Sequence, residues 1–153
     1  MPDYDPMAPD ARRYPRVITE GEINAMPRLD FNTGIDTCIF LSRERDDARY
    51  FRQGYCYMEP DHEPFNWEQA NFDETHYCLR GRIKLRVTDR TGREVVLEAG
   101  EGEHIYLPGG YTYTLEATGT RSVFFWSSGP SARSGVTESK EYSKQLTELR
   151  AGA

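Results

Sequence analysis

The sequence predicts an all-β protein, an antiparallel sandwich or barrel, and two observations carry that prediction. First, short runs of alternating apolar and polar residues follow one another from about residue 30 to residue 127. Alternation with a period of two is the pattern of a β-strand that buries one face. Second, turn-forming residues separate these runs at short intervals, as in DRTG at 89–92 and PGG at 108–110. Many short strands with turns at this spacing are typical of an antiparallel sandwich or barrel.

The predicted strands are apolar on one face and rich in β-branched or aromatic residues. They span residues 35–41, 50–59, 74–80, 82–88, 94–98, 104–107, 111–117 and 121–127. The charged segment 43–49 is predicted to be a hairpin loop. Segment 60–71 shows no periodicity and is predicted to be a loop over the barrel mouth, with His62 exposed to solvent. Thr19 and Glu22 have the spacing of a capping box, which predicts one helical turn before Pro27.

The two ends of the chain differ from its middle. Residues 1–16 contain four prolines and mixed charge, which predicts a flexible arm or an extended segment. Residues 17–130 are the predicted barrel domain. Residues 131–153 are predicted to form a linker and a short C-terminal helix at 137–150, because Tyr142, Leu146 and Leu149 recur at helical spacing.

Length, charge and cysteine content restrict the classes of function that the chain can have. A chain of 153 residues fits one domain, and its net charge of -6 argues against a nucleic-acid partner. No apolar run approaches the length of a membrane span, and no signal-peptide core stands near the N-terminus, so a cytoplasmic protein without a membrane partner is expected. The 3 cysteines are an odd number and lie in apolar runs, which predicts buried free thiols rather than disulfides or a zinc site.

Two stretches, FDETHYCLRG at 72–81 and GEHIYLPGGYTY at 102–113, resemble the two sequence motifs of cupins. The first cupin motif ends in a glutamate that is followed, after six residues, by a glycine. The second has a glycine, a proline, a further glycine and then a histidine. The residues that match are Glu74, Gly81, Gly102, Pro108 and Gly110. Tyr113 stands where the histidine of the second motif is expected.

More narrowly, segments 31–36, 65–81 and 99–113 resemble the cupin domain of the ethanolamine-utilisation protein family EutQ. The resemblance covers roughly residues 17–130. It implies a jelly-roll β-barrel. It also implies a homodimer, since similar cupins commonly associate through sheet edges and exchanged N-terminal segments.

The resemblance to cupins raises the question of a metal. A cupin metal site usually takes three imidazoles and one carboxylate. Here the HxH positions of the first motif fall on Glu68 and Ala70, or on Trp67 and Gln69, and neither choice supplies a histidine. No cofactor and no metal of the usual cupin kind is therefore predicted. The alternative is a divalent metal held by Glu74 and His76 with a third group such as Glu68 or Tyr113.

Glu74 and His76 are the predicted catalytic pair. They stand two residues apart on one predicted strand, so their side chains share a face. A carboxylate beside an imidazole in a dry barrel suits general acid–base catalysis, and Tyr113 on a neighbouring strand is the predicted hydrogen-bond donor to developing charge. The alternative interpretation is that Glu74 belongs to the fold and His76 is a hydrogen-bonded interior histidine.

Further residues are candidates for substrate binding because they are aromatic or polar and lie on strands or over the barrel mouth. They are Tyr55, Tyr57, Trp67, Glu68, His104 and Trp126. Alternation does not tell which face of the strand that carries Tyr55 and Tyr57 is inside. Trp67 would line an apolar ligand or pack into the core.

Three functions remain open. The first is a small-molecule enzyme, of lyase, isomerase or dehydratase type, that moves a proton in the barrel. The second follows from the resemblance alone: an EutQ-like accessory or acetate-kinase-type protein of ethanolamine metabolism. The sequence has no GxxxxGKS or GxxxxGKT phosphate loop, which argues against phosphoryl transfer of that kind. The third is a ligand-binding cupin without catalysis.

Overall fold

The computed structural model describes residues 15–69 and 71–130, and within them the chain forms ten strands and two short helices. The predicted helix at 137–150 and residues 1–14 of the predicted arm lie outside the described residues. In chain order the elements are α1 (Glu20–Ala25), β1 (Leu29–Asn32), β2 (Ile35–Leu41), α2 (Arg43–Asp46), β3 (Arg52–Met58), β4 (Phe65–Gln69), β5 (Asp73–Arg80), β6 (Arg82–Thr88), β7 (Glu94–Gly100), β8 (His104–Leu107), β9 (Tyr111–Glu116) and β10 (Ser122–Gly129).

The strands form two antiparallel sheets. One has six strands in the order β1-β2-β3-β10-β5-β8, and the other has four in the order β4-β9-β6-β7. The inner faces of both sheets contribute to one apolar core, with Cys78 and Phe124 from the first sheet and Ile83 and Leu115 from the second. This architecture confirms the predicted all-β, antiparallel jelly-roll barrel.

Alternation along each strand decides what enters that core. On β6, Ile83 and Leu85 are fully buried, whereas Lys84 between them is partly exposed. On β10 the buried positions are every second residue, so Phe124 and Trp126 point inward. Successive side chains leave a strand on opposite faces, and burial of one face therefore selects one register.

Two elements differ from the predicted loops. Residues 60–71 were expected to be a loop without regular structure, but β4 occupies Phe65–Gln69 and pairs with β9, with Trp67 opposite Tyr113. The backbone hydrogen bonds of this short strand are made with β9, which is distant in sequence, so the local sequence pattern does not reveal the strand. Segment 43–49, predicted to be a hairpin loop, contains α2, which Ser42 caps by accepting a hydrogen bond from the amide of Arg45 at 3.2 Å.

His62 was expected to be exposed to solvent, and that prediction is wrong, because the residue is only 4% exposed. It packs against Gly34, where an added Cβ would lie 2.9 Å from the Cβ of His62. The Nδ1 atom of His62 lies 2.8 Å from the carbonyl oxygen of Glu63. The turn after β1 thus covers a histidine that sits in a polar, loop-like stretch of sequence.

Other local predictions are confirmed. Thr19 caps α1 in a capping box with Glu22, and the helix ends before Pro27. The three cysteines are free and buried.

No helix in the part of the chain that the structure describes is long and apolar enough to cross a membrane.

Candidate functional site

A cavity lies between the two sheets, with an empty volume of about 540 Å³ that includes its part open to solvent. Most of its wall is apolar or aromatic, and a few polar groups converge on it, as is common in small-molecule sites. Its polar lining residues are Arg52, Glu74 and His76. Its apolar lining residues are Phe31, Ile39, Cys56, Phe65, Trp67, Phe72, Leu115, Phe124 and Trp126.

Glu74 and His76 lie side by side on this wall. Strand β5 places both on its inner face, because they are two residues apart. The Nε2 atom of His76 is 3.4 Å from Oε1 of Glu74, and the two side chains are 3% and 12% exposed, respectively. The imidazole ring stacks on Phe124 at 4.3 Å between ring centroids. The pair is therefore held in a largely water-free environment.

The second ring nitrogen of His76 is the notable polar atom of the site. Nδ1 is buried and has no hydrogen-bond partner among the residues that the structure describes. Buried polar atoms are usually hydrogen-bonded, and an exception calls for an explanation such as a catalytic role. A neutral imidazole with its proton on Nε2, towards Glu74, has an unshared electron pair on Nδ1.

Arg52 completes the polar set, and sequence reasoning missed it. It opens β3 on the same face as Gly54 and Cys56, is 7% exposed, and lies with its guanidinium carbon 5.7 Å from the centroid of the Trp126 ring. A glycine inside a strand often marks close approach of another group. Gly54 was the signal that could have identified this face of β3 as the inner one.

Stacked aromatic rings form another wall of the cavity. Phe31 stacks on Phe65 at 4.9 Å between centroids, and Phe65 stacks on Trp67 at 5.5 Å. Trp67 also lies 5.5 Å from the ring of Tyr113. Such offset stacks hold side chains in place as well as burying apolar area. This wall is therefore rigid and suits a planar or apolar ligand body.

The buried side chain of Gln69 supports that wall. Its carboxamide oxygen accepts a hydrogen bond from Nε1 of Trp67 at 3.3 Å. Its nitrogen donates to the carbonyl oxygens of Phe72 and Leu107 at 3.0 and 2.7 Å. Leu107 pairs with Glu74 across β8 and β5, so one amide ties the indole of Trp67 to the strand that carries the catalytic candidates.

The structure brings together four of the predicted site residues, Glu74, His76, Trp67 and Trp126, at the cavity. It places Glu68 elsewhere, exposed on β4. His104 is also exposed and lies against the ring of Tyr77 at 4.5 Å.

Tyr55 and Tyr57 lie on the outer face of β3. They pack there with a second apolar cluster around Met26, Cys38 and Phe40. The ring of Tyr55 is 5.4 Å from that of Phe40. This cluster covers the outside of the six-stranded sheet, so neither tyrosine faces the cavity.

Tyr113 is buried near the cavity wall but its hydroxyl has another partner. It donates a hydrogen bond to the carbonyl oxygen of Pro108 at 2.6 Å. Burial raises the pKa of the Tyr113 hydroxyl above its ordinary value, with the charge of Glu74 among the lesser causes. The hydroxyl therefore stays protonated and anchors the turn between β8 and β9.

Among the described residues, the cavity lacks the three imidazoles and one carboxylate that a cupin metal site usually takes. No group of three or more His, Cys, Asp or Glu side chains within residues 15–69 and 71–130 is arranged to hold a metal ion. The potential donors that line the cavity are the carboxylate of Glu74, the imidazole of His76 and the thiol of Cys56. Glu68 is exposed on β4, the Tyr113 hydroxyl is bound to Pro108, and the guanidinium of Arg52 lines the same cavity. A guanidinium beside these donors repels a divalent metal ion.

Comparison with known proteins supports the architecture. No protein-family model and no curated protein sequence matches the chain. Solved structures do match. The EutQ protein of Clostridium difficile has 22% sequence identity and a TM-score of 0.50, over 64% of this chain and 64% of that one. A variant of Bacillus subtilis oxalate decarboxylase has 16% identity and a TM-score of 0.63, over 78% of this chain and 30% of that one. The chain has the cupin fold.

The predicted likeness to cupins and to EutQ is thereby confirmed at the level of fold. This cupin barrel spans less than two thirds of EutQ and less than a third of oxalate decarboxylase. At such identities the likeness concerns the fold and carries no activity across. Oxalate decarboxylase has Mn(II) centres, whereas the potential metal donors among the described residues that line this cavity are Glu74, His76 and the thiol of Cys56, and they are not grouped to hold a metal ion.

Proposed function

We propose that this cupin is an enzyme that moves a proton to or from a small molecule bound in the barrel, in a reaction of lyase, isomerase or dehydratase type. One observation carries the proposal: His76 and Glu74 are in contact at 3.4 Å inside a mainly apolar cavity, and Nδ1 of the same imidazole has no partner among the described residues. A few polar groups that converge in a mainly apolar cavity are the usual starting point for assigning an active site.

The roles follow from the two ring nitrogens. With its proton on Nε2 and Glu74 beside it, His76 has Nδ1 available to accept a proton from the substrate. The imidazolium that forms is stabilised by the Glu74 carboxylate, and this attraction is stronger in a dry cavity than in water. In ligand-free enzymes catalytic hydrogen bonds are often longer than in complexes, which is consistent with a 3.4 Å separation.

The same geometry allows the proton to return. After abstraction, the imidazolium can donate its Nδ1 proton to a different atom of the substrate, which gives an isomerisation, or to a leaving group, which gives an elimination. The apolar walls keep bulk water from quenching the intermediate. His76 is thus the proton carrier, and Glu74 orients and stabilises it.

Hydrogen exchange tests the proposal because it detects proton abstraction whatever product follows. The purified protein is incubated in D₂O with pyruvate, 2-oxobutyrate or phenylpyruvate, and loss of the C–H signal next to the carbonyl is followed by NMR. We expect exchange faster than in buffer, without added cofactor, and expect the Glu74→Gln/His76→Gln double variant to lose it. Exchange at the full rate in the double variant would reject the assignment.

Two further assays separate the other two functions. An activity with acetate that requires ATP and magnesium would support the EutQ-like, acetate-kinase-type alternative. Ligands that change tryptophan fluorescence while no exchange and no product are detected would support a ligand-binding cupin without catalysis.

A further inference from the structure

The register of three strands aligns Arg52 with the catalytic candidates. Arg52 on β3 is paired with Ser128 on β10, and Ser128 is paired with Glu74 on β5. All three side chains belong to the inner face of the sheet, where Arg52 and Ser128 are buried. Neighbouring strands lie about 4.8 Å apart, so the backbones of Arg52 and Glu74 are separated by roughly 10 Å.

The next row of the same sheet forms the floor between them. Gly54 on β3 is paired with Trp126 on β10, and Trp126 is paired with His76 on β5. Trp126 thus lies on the strand between the one that carries Arg52 and the one that carries His76. A cation on one strand, a proton acceptor on another and an aromatic side chain between them suit a short ligand.

We propose that the molecule bound in this cavity is a small carboxylate with an apolar or aromatic body, whose carboxylate is held by Arg52 while its reacting group faces His76. The proposal rests on the proposed function only for its statement of which group reacts. A guanidinium presents planar pairs of N–H donors that match a carboxylate, and such charge-assisted bonds are among the stronger ones in proteins. The contact with Trp126, at 5.7 Å, holds the guanidinium near the ring.

The charged side chains and the apolar walls of the cavity favour a carboxylate ligand over a cationic or a neutral one. Glu74 already has a cationic or hydrogen-bonding neighbour in His76, so a ligand ammonium would have to compete with the imidazole and approach the guanidinium of Arg52. A neutral apolar ligand would contact the aromatic walls but would have no charged group to place beside the guanidinium of Arg52. A carboxylate ligand uses both the cation and the walls.

Benzoate, benzamide and benzamidine test the class, because they are nearly isosteric and carry an anionic, a neutral and a cationic head group. The chain has 2 tryptophans, Trp67 and Trp126, and both line the cavity, so binding is followed by tryptophan fluorescence and by calorimetry. We expect benzoate to bind about tenfold to a hundredfold more tightly than benzamide, because charged hydrogen bonds are worth about 1.5–3 kcal/mol. We expect benzamidine to bind more weakly than benzamide.

Arg52→Met should remove the preference for benzoate, and Arg52→Lys, which retains the charge, should retain part of it. Affinity for benzamide should change less than about threefold in both variants, which also shows that the cavity is intact. Arg121→Met is the matched control, because the Arg121 side chain is 75% exposed and pairs with Glu59 on the surface. If benzoate binds no better than benzamide, or if Arg52→Lys and Arg52→Met both leave its affinity unchanged, the proposal is wrong.

Binding and catalysis can fail separately. The affinities of the three probes are therefore measured in the wild type and in Glu74→Gln, the variant in which proton exchange should be slower while benzoate binding persists. A benzoate preference without any proton exchange would retain the carboxylate class and reject the enzyme. Proton exchange on the three 2-oxo acids, with no benzoate preference, would retain the enzyme and reject the recognition of a carboxylate by Arg52.

Discussion

Gly54 and Trp126 are neighbours across the β3–β10 pair, and the indole occupies the space that a side chain at Gly54 would need. An added Cβ at Gly54 would lie 2.5 Å from Cζ2 of Trp126 and 2.5 Å from the carbonyl oxygen of Cys38. Glycine at this position therefore lets the indole lie flat against β3. That placement makes Trp126 the floor of the cavity between Arg52 and His76.

Gly54→Ala should destabilise the fold and disturb the cavity. The new methyl group has to displace an indole or a strand backbone, and overpacking of this kind costs about 1–3 kcal/mol. Urea denaturation measures the cost, and a shift of the tryptophan emission reports the movement of Trp126. Gly21→Ala is the control, because a Cβ there meets only Oγ1 of Thr19, at 3.9 Å, on the exposed helix α1. Equal stability of wild type and Gly54→Ala would contradict the close approach.

Glu74→Gln and His76→Gln should each slow proton exchange by about a hundredfold to ten-thousandfold, because each removes one member of a positioned acid–base pair. Both substitutions preserve approximate shape, so the fold and benzoate binding should persist. The readout is the NMR exchange rate together with the thermal unfolding midpoint. Glu98→Gln, on the exposed face of β7, is the matched surface control. Unchanged rates in either single variant would remove that residue from the mechanism.

Tyr113→Phe should cost stability rather than catalysis. The hydroxyl donates to the carbonyl oxygen of Pro108 at 2.6 Å, and loss of such a bond typically costs about 1 kcal/mol. We expect the exchange rate to change by less than about threefold. A larger loss of rate at unchanged stability would instead support the donor role predicted from the sequence.

Alkaline pH should destabilise the protein through its buried thiols and phenols, among them Cys56 and Tyr113. Burial raises the pKa of Tyr113 and the pKa of the Cys56 thiol above their ordinary values. Both groups therefore ionise more readily in the unfolded chain, whose pKa values are about 8.5 for cysteine and 10 for tyrosine. Their contribution to stability is complete below those values and is lost as pH rises towards the folded pKa values. Urea denaturation from pH 8 to about 11 should show this decline, and it should be shallower in Tyr113→Phe and in Cys56→Ala.

The purified protein should carry well below one transition metal ion per chain after dialysis against a chelator. The reason is the donor set, in which Glu74 and His76 share the cavity with the guanidinium of Arg52. Elemental analysis measures the content. Added Mn²⁺ or Zn²⁺ should leave the thermal unfolding midpoint unchanged, since an ion bound to the folded state alone would raise it. A rise that Glu74→Gln abolishes would show that Glu74 is a metal ligand.

Much of the fold followed from the sequence because local patterns encode it. The predicted bounds of β2, β6 and β8 agree with Ile35–Leu41, Arg82–Thr88 and His104–Leu107 in the structure. Alternating apolar residues predict a half-buried strand whatever its partner, and glycine and proline mark where strands end. The capping box at Thr19 is likewise a local device. The shared face of Glu74 and His76 also followed from the sequence, because side chains that are two residues apart on a strand lie on the same face.

Which face of each strand became the inside was decided only by the tertiary structure. Alternation on β3 is equally satisfied with Tyr55 and Tyr57 inward or with Arg52 and Cys56 inward, and packing of the tyrosines against the outer cluster selected the second arrangement. Residues Phe65–Gln69 form strand β4 because they pair with β9. Arg52 thereby joined Glu74 and His76 across three strands. A period of two is unchanged when a strand is turned over, so side-chain pattern alone cannot assign a residue to the cavity; contacts between distant strands do.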